Sequence, residues 1–218
     1  MTVRDPIIPV LLEKVYELIK GKIDKVQQPV VETLAKRILE QISDEDLLAR
    51  NESDLYGAVL SLWHLLNQHD QAEIVVKVYN PTLAGNGWQS THTIVEILTP
   101  DCAFLVDSVR MALKRLDVTS HLMLSGPHRV HKDNKNVITE IGGENGKLQT
   151  LFHIEVDRMS DRKEMKQLEE EIRDSLKDVK LVTDDWQVMR EQMISVAKDL
   201  KKAKCLWINP ERMKQLNS

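Results

Sequence analysis

The spacing of the apolar residues first changes period about a third of the way along the chain, and this change limits the fold more than any other feature. Before it, apolar side chains recur every three or four residues, as on one face of an α-helix. After it, Ile74, Val76 and Val78 occupy every second position, which is the period of a β-strand. We therefore predict a helical N-terminal region over residues 1–71 and an α+β domain over residues 72–182.

Three residues mark predicted helix starts in the first region. Pro29 suits the first turn of a helix, where its missing N–H is not needed. Ser43 precedes three acidic residues, and its hydroxyl can accept a hydrogen bond from the amides of a new helix. Ser53 is the next predicted cap.

The second region contains two strands, a helix, further strands and a last helix in that order. This order contains a ferredoxin-like series, in which the helices cover one face of an antiparallel sheet. We place the leading strand, residues 72–80, at an edge of the sheet, antiparallel to residues 91–98. Pro81 and Gly87 lie between the two strands and predict a turn or open loop.

The alternation of side chains along these strands also predicts which residues face the core. His153 and Glu155 should lie on the face away from the helices, against solvent or another domain. The residues that should lie beneath the helix carrying Val109 and Leu113 are Ile74, Val76, Val78, Val95, Ile97, Phe152, Ile154 and Val156.

The last predicted helix is unusually long, because no glycine or proline interrupts residues 161–204. Most globular helices are much shorter, so we predict a break near Thr183, whose hydroxyl can cap a new helix. Residues 179–182 are left open between helix and strand. We assign residues 183–218 to a C-terminal helix and tail that lead toward a downstream domain.

The composition excludes several classes of partner. A formal net charge of -4 gives no electrostatic reason to bind nucleic acid, and no apolar run reaches the ~20 residues that a membrane span needs. Cys102 and Cys205 lie far apart and match neither a disulfide framework nor a zinc site. The two separated cysteines and the absence of signal-peptide features at the N-terminus together predict a protein of the reducing cytosol.

None of the residue types that could carry chemistry stands in a recognisable motif. His128 and His131 are close, but residues three apart on a strand point to opposite faces, so we predict no metal site. Ser90, His92 and Cys102 supply nucleophile and base types without a catalytic signature. We predict that the chain contains no catalytic residue.

Two further groups of residues have structural interpretations. The glycines at positions 142, 143 and 146 precede a strand rather than open a helix, which indicates a hairpin turn and not a dinucleotide loop. Trp63 and Trp186 fall on apolar helical stripes and are predicted core or interface residues. We therefore predict no cofactor site in this chain.

Three stretches of sequence resemble the N-terminal region of the large bacterial NAD-specific glutamate dehydrogenases. They occur in order, and they read DLYGA at 54–58, YNPT at 79–82 with GWQSTHT at 87–93, and FLVDSV at 104–109. The resemblance as a whole runs from about the second predicted helix to the last, over most of the chain. The resemblance implies a long multidomain subunit with ACT-like domains first and the NAD-binding catalytic core far downstream. It also implies an α+β fold with an ACT-like, ferredoxin-like antiparallel sheet, a homo-oligomer, and downstream domains of the same polypeptide as partners.

ACT domains often bind an amino acid between the first strand and first helix of one copy and a neighbouring copy. In this chain the resemblance carries that role to Asp101, Cys102 and Ala103. Phe104 stands where the ACT pattern has glycine, and we expect its ring to occupy the space that a ligand would need.

Two functional hypotheses therefore stand. The first is a non-catalytic regulatory or assembly segment of an NAD-specific glutamate dehydrogenase, whose parent reaction converts L-glutamate, NAD and water to 2-oxoglutarate, ammonia and NADH. The second is an amino-acid-sensing module of the ACT type. The departure at Phe104 favours the first.

Overall fold

A computed structural model of the chain describes residues 5–68 and 73–207, with the side chains of all of these except 185–188 and 201–207. Its contacts divide the chain into two compact units, residues 1–177 and 178–218. The three-part division predicted from the sequence stays a prediction, and its first boundary, at 71/72, lies outside the described residues.

Four helices form the N-terminal region, and their starts follow local capping chemistry. Ser43 caps a helix as predicted, because its Oγ accepts the backbone N–H of Asp46 at 3.1 Å. The predicted cap at Ser53 is wrong: the helix begins at Glu52, and Asn51 Oδ1 accepts the Asp54 N–H at 2.9 Å. The helices are α1 (Ile7–Lys22), α2 (Gln28–Leu39), α3 (Asp44–Leu48) and α4 (Glu52–Gln68).

Over the described residues 73–207, the structure has five strands and three helices. They are β1 (Val75–Tyr79), α5 (Leu83–Asn86), β2 (Thr93–Pro100), α6 (Leu105–Arg115), β3 (Ser120–Lys132), β4 (Ile138–Ile141), β5 (Lys147–Val156) and α7 (Arg162–Trp207). The short helix α5 lies where the sequence predicts an open loop. Thr82 caps it by accepting the Gly85 N–H at 3.1 Å, and Gly87 ends it with a φ of 75°.

The strands form one antiparallel sheet in the order β1-β2-β5-β3-β4. The prediction that the leading strand occupies a sheet edge beside residues 91–98 is confirmed. Val76 pairs with Ile97, and Val78 pairs with Val95, so these residues share one face. The fold class predicted from the sequence, an α+β fold with an ACT-like antiparallel sheet, is also confirmed.

The first face of the sheet packs against α6 and α7, as predicted from the alternation. Ile74, just before β1, and Val78 are only half-buried. Arg115 Nη1 of α6 lies 2.6 Å from Glu171 Oε1 of α7, which ties the two helices together. The buried residues of this face and its helices are Val76, Val95, Ile97, Phe152, Ile154, Val156, Val109, Leu113, Leu168, Ile172 and Leu176.

The second face of the sheet is covered by the N-terminal helices. One continuous apolar core joins buried residues of α1 to α4 to six residues of the sheet: Leu98, Leu124, Val130, Ile138, Ile141 and Leu151. The sequence predicts that this face lies against solvent or another domain. The N-terminal region supplies its cover, because its apolar stripes need a surface to pack on.

Helix α7 runs without a break, so the predicted interruption near Thr183 is wrong. The Thr183 hydroxyl donates to the Val179 carbonyl oxygen at 2.9 Å, a bond back along the same helix rather than a cap. Residues 179–182 are therefore helical and not a strand. The predicted tail beyond residue 207 lies outside the described residues.

Within residues 5–68 and 73–207, no helix combines the length and apolar character that a membrane span requires.

Candidate functional site

Two of the sequence stretches that carry the family resemblance meet in the structure. Gly57 of α4 lies against the indole of Trp88, which is 3% exposed. A Cβ at position 57 would lie only 2.2 Å from Trp88 Cγ, so any side chain there would displace the ring. Asp54 Oδ1, also on α4, accepts the Gln89 N–H at 3.2 Å. Helix α4 and the segment before β2 therefore form one packed unit.

A buried carboxylate lies next to this contact, on the face of the sheet that the N-terminal helices cover. Glu96 of β2 is 1% exposed, and it accepts hydrogen bonds from Ser61 Oγ at 2.9 Å and from the Tyr79 hydroxyl at 3.1 Å. Lys77 and His153 are its neighbours on the two adjoining strands. A charge removed from water needs such partners.

The environment of Glu96 also affects the groups around it. Burial, and next the nearby charge of Glu96, raise the pKa of the Tyr79 hydroxyl far above its ordinary value. Tyr79 therefore stays protonated and serves as a hydrogen-bond donor. The Nδ1 atom of His153 lies 3.7 Å from Glu96 Oε1, too far for a hydrogen bond, and has no hydrogen-bond partner in the described part of the chain.

A second polar cluster connects the loop after α3 to the sheet. Arg50 Nη2 lies 2.6 Å from Glu155 Oε2 of β5, and His92 Nδ1 lies 3.4 Å from the same oxygen. The His92 and His121 rings are in contact at a tilt of 41°, with centroids 4.6 Å apart, and His121 Nε2 lies 2.7 Å from Asp157 Oδ1. These contacts connect the helical layer to the C-terminal end of β5, the central strand of the sheet.

Between the two layers is a cavity of about 690 Å³, of a size that could hold a small molecule. Its polar rim includes Arg50, His92 and Glu155, and its apolar wall includes Leu55 and Leu122. The charged groups on the rim already bond to each other. These side chains therefore connect the helical layer to the sheet and are not arranged as a reactive site.

The nucleophile and base types flagged in the sequence are close but not arranged for proton transfer. Ser90 Oγ accepts a hydrogen bond from the backbone N–H of His92 at 3.1 Å, not from its ring. A general base must reach the proton that it removes, and here the imidazole instead faces Glu155 and Thr91.

The predicted effector loop lies between β2 and α6. Asp101 and Ala103 are exposed, and Cys102 is half-buried. The Thr150 hydroxyl donates to Asp101 Oδ1 at 2.5 Å, and the Asp101 N–H donates to the Leu148 carbonyl oxygen at 3.2 Å. Phe104 has a φ of 67°, the left-handed conformation that glycine adopts easily, and its side chain is 69% exposed.

The two strand histidines differ as the sequence predicts. His128 is buried, and burial followed by the charge of Arg37 lowers its pKa to about 4. His131 is exposed, with Nδ1 2.8 Å from Thr139 Oγ1. No group of three histidine, cysteine, aspartate or glutamate side chains that could hold a metal ion occurs among the described residues.

Comparison with known proteins identifies the family. The model of the glutamate dehydrogenase ACT1 domain matches residues 34–172, more than half of the chain. The chain belongs to this family. The ACT1 match begins within α2, so it includes helices of the N-terminal layer as well as the whole sheet.

Two curated relatives carry the name NAD-specific glutamate dehydrogenase. The protein from Halomonas elongata is 32% identical over 205 residues, which is 92% of this chain and 13% of the relative. The protein from Pseudomonas aeruginosa is 37% identical over 195 residues, which is 87% of this chain and 12% of the relative. The chain thus spans about an eighth of the relatives that it matches, and no solved structure gives a significant match. The resemblance to the N-terminal segment of these large enzymes is confirmed.

Sequence reasoning missed the buried carboxylate at Glu96 and its partners. The available signal was a glutamate in the middle of the apolar run Ile94 to Leu98, which predicts a buried charge with dedicated donors. The prediction for Trp63 is confirmed, since it packs against the helical core. The prediction for Trp186 lies outside the described side chains.

Proposed function

We propose that this chain is a non-catalytic regulatory or assembly segment of an NAD-specific glutamate dehydrogenase. The observation that carries the proposal is the ACT1 match over residues 34–172, in a chain that spans only 13% and 12% of its two relatives. The parent enzyme would oxidise L-glutamate to 2-oxoglutarate and ammonia with NAD and water, and NAD would bind to its downstream domains.

The ion pairs and hydrogen bonds of the buried polar side chains support this role. Arg50 and Glu155 join the helical layer to the sheet, and Ser61 and Tyr79 enclose Glu96. Groups that act on a substrate need an accessible and unsatisfied partner site. Here the same residue types stabilise the junction between the helical layer and the sheet. This is expected of a domain that transmits a regulatory signal or organises the assembly and does not catalyse a reaction.

The purified chain should reduce no NAD when it is mixed with L-glutamate. The measurement is NADH absorbance, with the full-length parent enzyme as the positive control. Sustained turnover by a pure sample of the chain would overturn the proposal that the segment is non-catalytic.

In the full-length enzyme, Gly57→Ala should alter the subunit assembly or the response to effectors, because it displaces Trp88. The measurements are the mass of the assembly and the kinetics with and without effectors. An unchanged mass and unchanged kinetics would contradict the regulatory or assembly role.

The amino-acid-sensing hypothesis keeps one observation in its favour. Phe104 adopts the backbone conformation of the glycine that it replaces, and its ring is exposed, as are the neighbouring Asp101 and Ala103. If this loop binds an amino acid, that ligand should raise the melting temperature of the chain by mass action. The test is a thermal-shift panel of amino acids at millimolar concentration. A flat panel would eliminate this function.

A further inference from the structure

The C-terminal part of α7 carries an uncovered apolar seam. From residue 178 the helix belongs to the second unit of the chain. Its side chains at 182, 189, 193, 196 and 200 are apolar and 46–68% exposed. An isolated helix is marginally stable in water, and helices in proteins gain most of their stability by burying an apolar face. This seam needs a partner.

The spacing along the seam is that of a coiled coil. In sequence, positions a of the seven-residue repeat hold Val179, Trp186, Met193 and Leu200, and positions d hold Val182, Met189 and Val196. Steps of three and four residues therefore alternate, and the average period of 3.5 keeps the stripe facing one partner helix. The seam extends over three heptads, which is the length at which such a pattern indicates a coiled coil.

The charges beside the seam identify the partner. Among the described residues, the charged side chain at position e is basic, Arg190, and those at position g are acidic, Asp178 and Asp199. A parallel pair of identical helices places each g position against the e position of the partner's next heptad, so in sequence Asp185 stands opposite Arg190 and Asp199 opposite Lys204, while Asp178 stands opposite the uncharged Thr183. An antiparallel pair places like rows together.

The overall charge of the segment also permits self-association. The described residues 178–184 and 189–200 carry three basic side chains (Lys180, Arg190, Lys198) and four acidic ones (Asp178, Asp184, Glu191, Asp199). Two copies therefore repel each other little. A partner of different sequence would have to match the same spacing and the same two charged rows, whereas a second copy matches them by construction.

We propose that the helix over residues 178–200 forms a parallel coiled coil with the same helix of a second copy of this chain. The proposal deepens the assembly role proposed above and names its surface. It is tested by mass and cross-linking alone, whereas the non-catalytic role is tested by turnover, so either can fail without the other.

The first experiment is sedimentation equilibrium of the 218-residue chain at micromolar concentrations. The wild type should sediment as a dimer or larger, and Met193→Lys and Val196→Lys should sediment at the mass of one chain. The matched controls are Leu181→Lys and Ile194→Lys, which change exposed apolar residues outside the seam and should keep the wild-type mass. Circular dichroism establishes that each variant is folded. A monomeric wild type, or equal loss of assembly in seam and control variants, would overturn the proposal.

The second experiment tests the orientation. In a chain with Cys102→Ser and Cys205→Ser, the single changes Met193→Cys and Leu200→Cys should each form a disulfide with their own counterpart. Both can do so only in a parallel pair in register, because an antiparallel pair brings at most one residue opposite itself. Cross-linking at one position only, or at neither, would contradict the parallel arrangement.

Discussion

Gly57→Ala is expected to destabilise the chain by about 2–4 kcal/mol, although the change adds a single methyl group to a helix. The added Cβ would lie within 2.2–2.6 Å of three Trp88 side-chain atoms. These atoms are Cβ, Cγ and Cδ1, close to the backbone of a buried residue. They cannot move away as the far end of a flexible side chain can. The measurement is urea unfolding at constant pH.

A matched control separates this clash from the ordinary effect of alanine in a helix. Gly21, near the end of α1, has nothing within 4 Å of an added Cβ. Gly21→Ala should therefore stabilise the chain by about 0.5–1 kcal/mol through helix propensity. A double-mutant cycle with Trp88→Gly should show strong coupling, because this change removes all three side-chain atoms that the added Cβ would meet. Additive effects at the two positions would contradict the proposed packing.

Val76→Asp should cost roughly 3–5 kcal/mol of folding free energy. Val76 is 2% exposed and pairs with Ile97 on the face that α6 and α7 cover. A carboxylate there would lose its water, and the Arg173 guanidinium, which donates to the Val76 carbonyl oxygen, is already paired with Glu169. The measurement is again urea unfolding. A loss below about 1 kcal/mol would show that β1 does not bury this side chain.

The neighbouring residue supplies the control, and here the structure changes the expectation. The alternation alone predicts that Lys77→Asp is tolerated as a change on a solvated face. Lys77 instead pairs with the buried Glu96 across β1 and β2, so Lys77→Asp would place two carboxylates opposite each other. Lys77→Gln, which adds no negative charge, is the better control and should change stability by no more than about 0.5 kcal/mol.

The edge position of β1 and the burial of Val76 followed from local pattern. A two-residue period assigns side chains to faces regardless of what covers them, so Phe152 and Ile154 were placed on the first face without knowledge of the fold. The cap at Ser43 was predictable for the same reason, because a side chain that bonds to amides three residues away needs no distant partner.

The predictions that were wrong depended on competition between local alternatives. Thr183 could cap a new helix or bond back within a continuing one, and the sequence does not distinguish these outcomes. Asn51 and Ser53 could both cap α4, and Asn51 does so. Such choices differ by about 1 kcal/mol, which a few contacts elsewhere can outweigh.

The sequence by itself determined most of the elements, the inward faces of the strands and the family, because each of these depends on spacing or on characteristic residues within one stretch of chain. The tertiary structure decided what meets across long separations: Gly57 with Trp88, Ser61 with Glu96, and Arg50 with Glu155. These contacts arise because the N-terminal helices pack on the second face of the sheet. No local period encodes that choice, since an amphipathic helix requires an apolar surface but does not specify which one.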